Sequence, residues 1–374
     1  GRRHMLVHDK QPVHYAINRN YRLKTIQNEQ DAEKLSAFNQ SIHGDELYGM
    51  THSLITRHPQ TRPHHWPFIE DAESSCIVSS LCYIPSTWNY EGTSIKTAEL
   101  GIVGTDENHR RQGLISSLMH YYSTLQREEG AILSYIQGIP YYYHRFGYSY
   151  AIPLENHIIL ELHMVPKIKE NTFSLRKAVT EDTPLLTSEY NRMCSHLTCY
   201  MERPEQVWNF CLNTEKTGEL ESDFYIIEKK SGTAKKAAGY IKINRHGFSE
   251  GLIVSEISPL SYSDQPYILS LLKETAVERG KPYIRFNLSE KHPIAQRAFS
   301  LGAVNTWDYG LQLKFDAVSL LNRIKPVLNT RLHSSVFKNY SGAIRFNDFK
   351  GGIVFTLENG KMSAISKGVP QDEL

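Results

Sequence analysis

Apolar residues recur at helical spacing between 111 and 128, where Leu114, Leu118, Tyr121, Tyr122 and Leu125 share one face. The pattern predicts an amphipathic helix packed on a sheet. Upstream, the segments 75–84 and 93–105 are rich in β-branched and apolar residues and flank the turn-like Asn89-Tyr90-Glu91-Gly92, so they read as two strands. Downstream, 131–136 reads as a strand entered from Glu128-Glu129-Gly130, and 156–165 alternates enough to predict a strand that closes this unit before Pro166.

The same order repeats faintly. Tyr21-Arg22-Leu23-Lys24 and Phe173-Ser174-Leu175-Arg176 each read as a short strand, and each precedes a polar helix-start cluster, Asn28-Glu29-Gln30-Asp31 and Thr180-Glu181-Asp182-Thr183-Pro184. Glu278-Arg279-Gly280 leads into a strand near 283–288 as Glu128-Glu129-Gly130 leads into its own. Two copies of one α/β unit are predicted. Beyond about 314 the texture changes: Leu320, Leu321, Ile324, Val327, Leu328 and Leu332 mark one amphipathic helix, followed by short strands near 343–346, 353–357 and 361–365, with Asn359-Gly360 as a hairpin turn. The expected organisation is an N-terminal arm (1–20, opening on a tag remnant, Gly1-Arg2-Arg3-His4), units at 21–165 and 166–313, and a small α+β module at 314–374 that either stops at Leu374 or continues in the native protein.

Composition narrows the function. A chain of 374 residues holds two or three domains, and 42 Lys+Arg against 40 Asp+Glu leave a charge of +2. Such a balance supplies no general field for nucleic acid or an acidic membrane, so any charged ligand must be held locally. No apolar run is long enough to cross a bilayer and no leader-like start is present, so a cytoplasmic protein is expected. Five cysteines without C-x-x-C spacing predict buried thiols rather than disulfides or a zinc knuckle. His64-His65-Trp66 and His43-Gly44-Asp45-Glu46 lack a second acidic group at ligand spacing, and no metal is expected. Lys229-Lys230 and Lys235-Lys236 around Ser231-Gly232 read as an exposed hairpin loop.

Two segments carry candidate chemistry. From Glu99 to Ile115 the chain passes from strand through a polar loop, Asp106-Glu107-Asn108-His109-Arg110-Arg111-Gln112-Gly113, into a helix. A helix start offers unpaired amides and a partial positive charge suited to a pyrophosphate, Gly113 allows close approach, and Arg110 and Arg111 add forked donors. The second segment is Tyr141-Tyr142-Tyr143-His144-Arg145-Phe146-Gly147-Tyr148. Three adjacent tyrosines cannot all face inward on any helix or strand.

Arg110-x-x-Gly113, with Tyr143-x-x-x-Gly147-Tyr148 one helix and one strand later, resembles the GNAT acyl-CoA N-acyltransferase superfamily. The fuller pattern of His109 to Leu114 with Tyr143 to Tyr148 resembles its enhanced-intracellular-survival (Eis) branch. That resemblance implies an α/β (α+β) protein of tandem GNAT folds, mixed sheets flanked by helices, with a sterol-carrier-protein-like C-terminal domain and assembly as a homo-oligomer. Ile115 departs from the usual Gly or Ala. The resemblance also implies acetyl-CoA as co-substrate, with no metal: Ile102, Val103 and Thr105 pair with its pantetheine arm, and Arg110, Arg111, Gln112, Gly113 and Leu114 hold the pyrophosphate. Tyr143 matches the general acid, since a phenol keeps its proton at neutral pH and can pass it to a leaving thiolate.

The base is left open between Glu99, acting through water, and the C-terminal carboxylate that the Eis branch brings into its site. Asp45, Glu46 and Trp66, after the first strand, are candidate contacts for a cationic amine. The second unit has no Arg-x-x-Gly between Ser258 and Tyr267, and Ala298 falls where Tyr143 stands in the first. The expected activity is acetyl transfer to a primary amine of a small molecule (an aminoglycoside-like antibiotic or a polyamine) or to a lysine side chain. The alternatives are a non-catalytic acyl-CoA or lipid binder and an acyltransferase acting on a carrier-protein thioester.

Overall fold

The computed structural model describes residues 6–213, 220–247, 249–306, 310–347 and 351–368; the tag remnant and Leu374 lie outside them. The first half runs β1 (His14–Ala16), β2 (Tyr21–Thr25), α1 (Glu29–His43), α2 (Glu46–Thr56), β3 (Pro67–Asp71), β4 (Ile77–Tyr90), β5 (Thr93–Thr105), α3 (Leu114–Glu129), β6 (Leu133–Ile136), β7 (Ser149–Pro153) and β8 (Ile158–Glu161). The second half runs β9 (Phe173–Lys177), α4 (Thr183–Cys194), β10 (Cys199–Met201), α5 (Glu205–Leu212), β11 (Ser222–Ser231), β12 (Ala234–Asn244), β13 (Leu252–Ile257), α6 (Gln265–Glu278), β14 (Tyr283–Phe286), α7 (Pro293–Ser300), β15 (Val304–Asn305) and β16 (Gly310–Phe315). Then come α8 (Ala317–Arg323), α9 (Lys325–His333) and a three-stranded sheet of β17 (Gly342–Asn347), β18 (Gly352–Glu358) and β19 (Lys361–Gly368). The architecture is mixed α/β, and among the described residues no helix is long and apolar enough to cross a membrane.

The hydrophobic pattern accounts for the layers. Leu118, Tyr122 and Leu125 of α3 are buried against Leu81, Tyr83, Ala98 and Leu100 on one face of the first sheet. The opposite face meets α1 and α2 through Leu35, Phe38, Leu54, Phe68 and Cys82. Asn28 caps α1 by accepting from the Asp31 amide at 3.0 Å, which satisfies one of the unpaired donors of the first turn. The helix expected at 320–332 is two helices, α8 and α9, because Pro326 cannot donate into a continuing ladder and instead starts the second.

The pairing order corrects one expectation. The strand predicted at 156–165 forms as β8, but it pairs antiparallel with β14 in the second sheet instead of closing the first. The vacant position beside β6 is taken by β16, which runs between β6 and β7. The halves thus exchange strands, and β10 of the second half also pairs with β4 in the first sheet. Alternation shows that a strand has one buried face, but it does not show which sheet edge the strand completes. In both sheets the received strand lies beside a parallel pair, β5 with β6 and β13 with β14.

Candidate active site

Strand β5 creates the opening. Its parallel register with β6 covers Thr97–Leu133, Ala98–Ser134 and Glu99–Tyr135, and beyond Glu99 no strand among the described residues pairs with that edge of β5. Opposite β4, the register slips so that Leu81 faces both Ile102 and Val103, and Ile102 takes φ +47. The bulge bends the strand and leaves backbone polar groups free of the ladder, at the height where an extended ligand would lie. On the other flank the end of α1 approaches closely: a Cβ on Gly104 would sit 2.9 Å from Ile42 Cγ2 and 3.0 Å from His43 Nε2.

Past β5, Asp106 accepts from the Asn108 amide at 2.9 Å and a short 3-10 turn leads to Arg110. Arg111 (φ +63) and Gly113 (φ +74) both adopt left-handed backbone, which folds the loop into the start of α3. The first turn of this 16-residue helix presents its unpaired amides at the same place. Neither Arg110 nor Arg111 is engaged in an ion pair among the described residues, and a Cβ on Gly113 would meet nothing within 4 Å.

A cleft of about 680 Å³ joins these parts. Val103, Thr105, Arg110, Arg111, Gln112, Gly113 and Leu114 line it, together with Tyr143 on its far wall. No carboxylate is among the lining residues, so the cleft is cationic. Sequence reasoning did not single out Ile42, His43, Ser116, Ile139, Tyr142 and Arg145 as cleft residues, although they line it too. Arg145 lies 4.3 Å over the Tyr142 ring and donates to its hydroxyl at 2.7 Å. Two neighbouring signals could have pointed there: the tyrosine segment with its Arg145, and His43 in the stretch considered above for a metal.

Tyr143 is buried in the core beneath the cleft, edge-on to Tyr142 and Tyr148. Tyr148 in turn shares a hydroxyl chain with Ser134 and Tyr122, each link 2.7 Å. Glu99, the last residue paired to β6, is only partly exposed and its carboxyl has no hydrogen-bond or ion-pair partner among the described residues; burial pushes that carboxyl up to about 7. It does not line the cleft. Burial also lowers the pKa of His43, which keeps its ring neutral at pH 7.

Other expected residues lie elsewhere. Ile102 packs its side chain into the core beneath α1 and α2, leaving only its backbone at the bulge. Trp66 is 1% exposed in that same core and cannot reach an amine from there. Position between two prolines left its direction open; the turn at Pro63–His65 points it inward. Asp45 and Glu46 are exposed and do not line the cleft; Asp45 accepts from Gln40 at 3.2 Å and Glu46 lies 3.4 Å from His246 of the second half.

The fold also supplies the acidic partner that spacing had not shown beside His64 and His65. Glu129, at the end of α3, accepts from both Nε2 atoms at 2.8 and 2.9 Å. Three potential ligands therefore converge. His65 Nδ1, however, accepts from the Arg62 amide at 2.9 Å, so its proton sits on Nε2 and points at Glu129. That is the arrangement of a hydrogen-bonded cluster, and the two imidazoles hold the Glu129 carboxyl down at about 2 against the opposing effect of burial.

Residues 60–151, which carry β5, the Arg110–Gly113 loop and the Tyr143 turn, match the acetyltransferase (GNAT) domain family. Solved structures share the fold over nearly the whole chain. One from Enterococcus faecalis, described as a probable N-acyltransferase, has TM-score 0.62 at 12% identity, covering 93% of this chain and 86% of its own. A GCN5-related N-acetyltransferase from Anabaena variabilis has TM-score 0.61 at 15% identity, covering 93% and 85%. Eis1 from Mycobacterium abscessus has TM-score 0.55 at 12% identity, covering 94% and 85%. No curated protein matches the sequence.

Proposed function

We propose that the chain is an N-acetyltransferase that moves an acetyl group from acetyl-CoA directly to a primary amine. The observation that carries this reading is the single cleft on which the uncommitted Arg110 and Arg111, the Gly113 helix start, the unpaired edge of β5 and Tyr143 meet. A diphosphate fits the cationic loop and α3 start, an extended pantetheine amide chain fits the free edge at Val103 and Thr105, and the bulge at Ile102 presents backbone donors to a thioester carbonyl. The amine nitrogen attacks the carbonyl carbon, the carbon–sulfur bond breaks, and the sulfur takes the phenolic proton of Tyr143. Holding both reactants in one cleft supplies much of the acceleration.

The amine must also lose a proton. Glu99 is suited to take it through a water relay, because a carboxyl held near 7 is ionised in about half the molecules at neutral pH. His43 is a second candidate, favoured because it lines the cleft directly. The repeated element order favours a second, GNAT-like unit without a coenzyme site, and the helix-backed three-stranded sheet is compatible with a sterol-carrier-like module. An aminoglycoside, a polyamine and a lysine peptide are the acceptors to test first.

Thiol release from acetyl-CoA should appear with at least one of these amines. Tyr143→Phe should lower kcat by roughly 100-fold while calorimetry shows unchanged CoA binding; equal rates would remove the acid role. CoA binding without turnover on any amine would instead favour a sensor. If Glu99 is the base, kcat/KM rises with pH through about 7 and Glu99→Gln abolishes that limb. A limb centred below 6.5 and lost in His43→Gln assigns the base to His43.

A further inference from the structure

Gln312 is wholly buried on β16, the strand that the second half of the chain inserts into the first sheet. Its Nε2 donates to the carbonyl oxygens of Gly138 at 3.0 Å and Ile139 at 3.4 Å. These residues follow the end of β6 and lead into the short helical turn that carries Tyr143. The Tyr143 ring lies directly on Gly138, so that any side chain there would overlap it, and a Cβ at that position would also be 3.3 Å from Gln312 Nε2. Amide, glycine and phenol ring therefore form one stack.

The turn between β6 and Tyr143 is irregular. It contains Pro140, and Tyr141 in left-handed backbone at φ +66. The Gln312 Oε1 atom is buried and has no hydrogen-bond partner among the described residues. Burying an unpaired carbonyl oxygen is unfavourable, so a residue chosen only to fill this space would be apolar. What the glutamine adds is its pair of donors.

We propose that Gln312 is a positioning residue for Tyr143: by holding both carbonyls of the turn, it sets where the phenol stands in the cleft. The inference rests on the acid role of Tyr143 given above. It also gives the second half of the chain a part in the site, since the donor arrives on the exchanged strand.

The test uses the full chain with Gln312→Met, which keeps the length and removes the donors. Crystals grown with CoA should show the Tyr143 hydroxyl displaced by about 1 Å, beyond the roughly 0.5 Å tolerance of a working site. With an accepted amine, kcat should fall about tenfold or more at unchanged KM for acetyl-CoA. In a Tyr143→Phe background the same substitution should change kcat less than about twofold, because there is no phenolic proton left to misplace. An unmoved phenol, or losses that simply multiply in the double variant, would overturn the proposal. If Gln312→Met does not fold, Gln312→Leu, which also lacks the donors, carries the same expectations. Unchanged turnover in Tyr143→Phe alone would sink the acid role, and the displaced or undisplaced hydroxyl in the crystal would still decide the positioning.

Discussion

Gly113 was legible in the sequence as the end of a turn, because it answers to a demand set within a few residues of itself, whereas the surroundings of Tyr143 include Gln312 from far along the chain. Gly113 ends the loop at φ +74, a conformation that an L side chain adopts only with strain. Space is not what excludes a side chain there, since a Cβ would meet no heavy atom within 4 Å. Gly113→Ala should therefore cost about 1 kcal/mol of stability, measured by thermal unfolding. It should also raise KM for acetyl-CoA, because the methyl would enter the space over the helix start, while leaving kcat within about twofold. An unchanged KM would detach this turn from coenzyme binding. Trp66 shows the limit of such reading. An aromatic residue beside a proline is compatible with both a lip and a core, and only the packing of α1 and α2 on β3 and β4 decides for the core.

At the level of elements, periodicity located the helices and strands well, since 3.6- and 2-residue repeats are properties of the segment itself. It missed the break between α8 and α9, where one proline outweighs a continuous apolar stripe. Helix α7 shows how an element end can carry pH dependence. His292 caps it: Nδ1 accepts from the Ile294 amide at 3.2 Å and Nε2 donates to the Ile257 carbonyl at 2.9 Å. The Nδ1 bond requires the neutral ring, and burial lowers its pKa to about 4 although the bond to the Ile257 carbonyl opposes that shift. The unfolded ring, near 6.5, binds a proton that the folded ring refuses. Stability is therefore complete above about 6.5 and declines as pH falls from there toward 4. In His292→Asn, which keeps a capping acceptor without a titrating ring, the fall of Tm over that window should be shallower; an identical slope would place the effect in other groups, His58 first among them.

The whole molecule is where the sequence was least informative, because strand exchange depends on contacts between segments more than a hundred residues apart. Strand β16 pairs with β6 through Gln312–Ile136 to Phe315–Leu133 and with β7 through Gly310–Pro153 to Leu313–Ser149. Reciprocally, β8 pairs with β14 from Phe286–Ile158 to Tyr283–Glu161. If either half unfolded alone, it would withdraw a strand from the interior of the other sheet and leave two ladders of backbone groups without partners. The two halves should therefore unfold together. A urea titration followed by separate probes, Trp88 in the first sheet and Trp208 on α5 packed against the second, should give one midpoint. Leu313→Pro removes a donor from a strand paired on both sides and should lower both midpoints equally, by an amount corresponding to about 3 kcal/mol or more. A shift confined to the Trp88 signal would show that the exchanged strands join the halves without coupling their stability. Trp88 and Trp208 are buried reporters in separate cores, which is what makes the two outcomes separable.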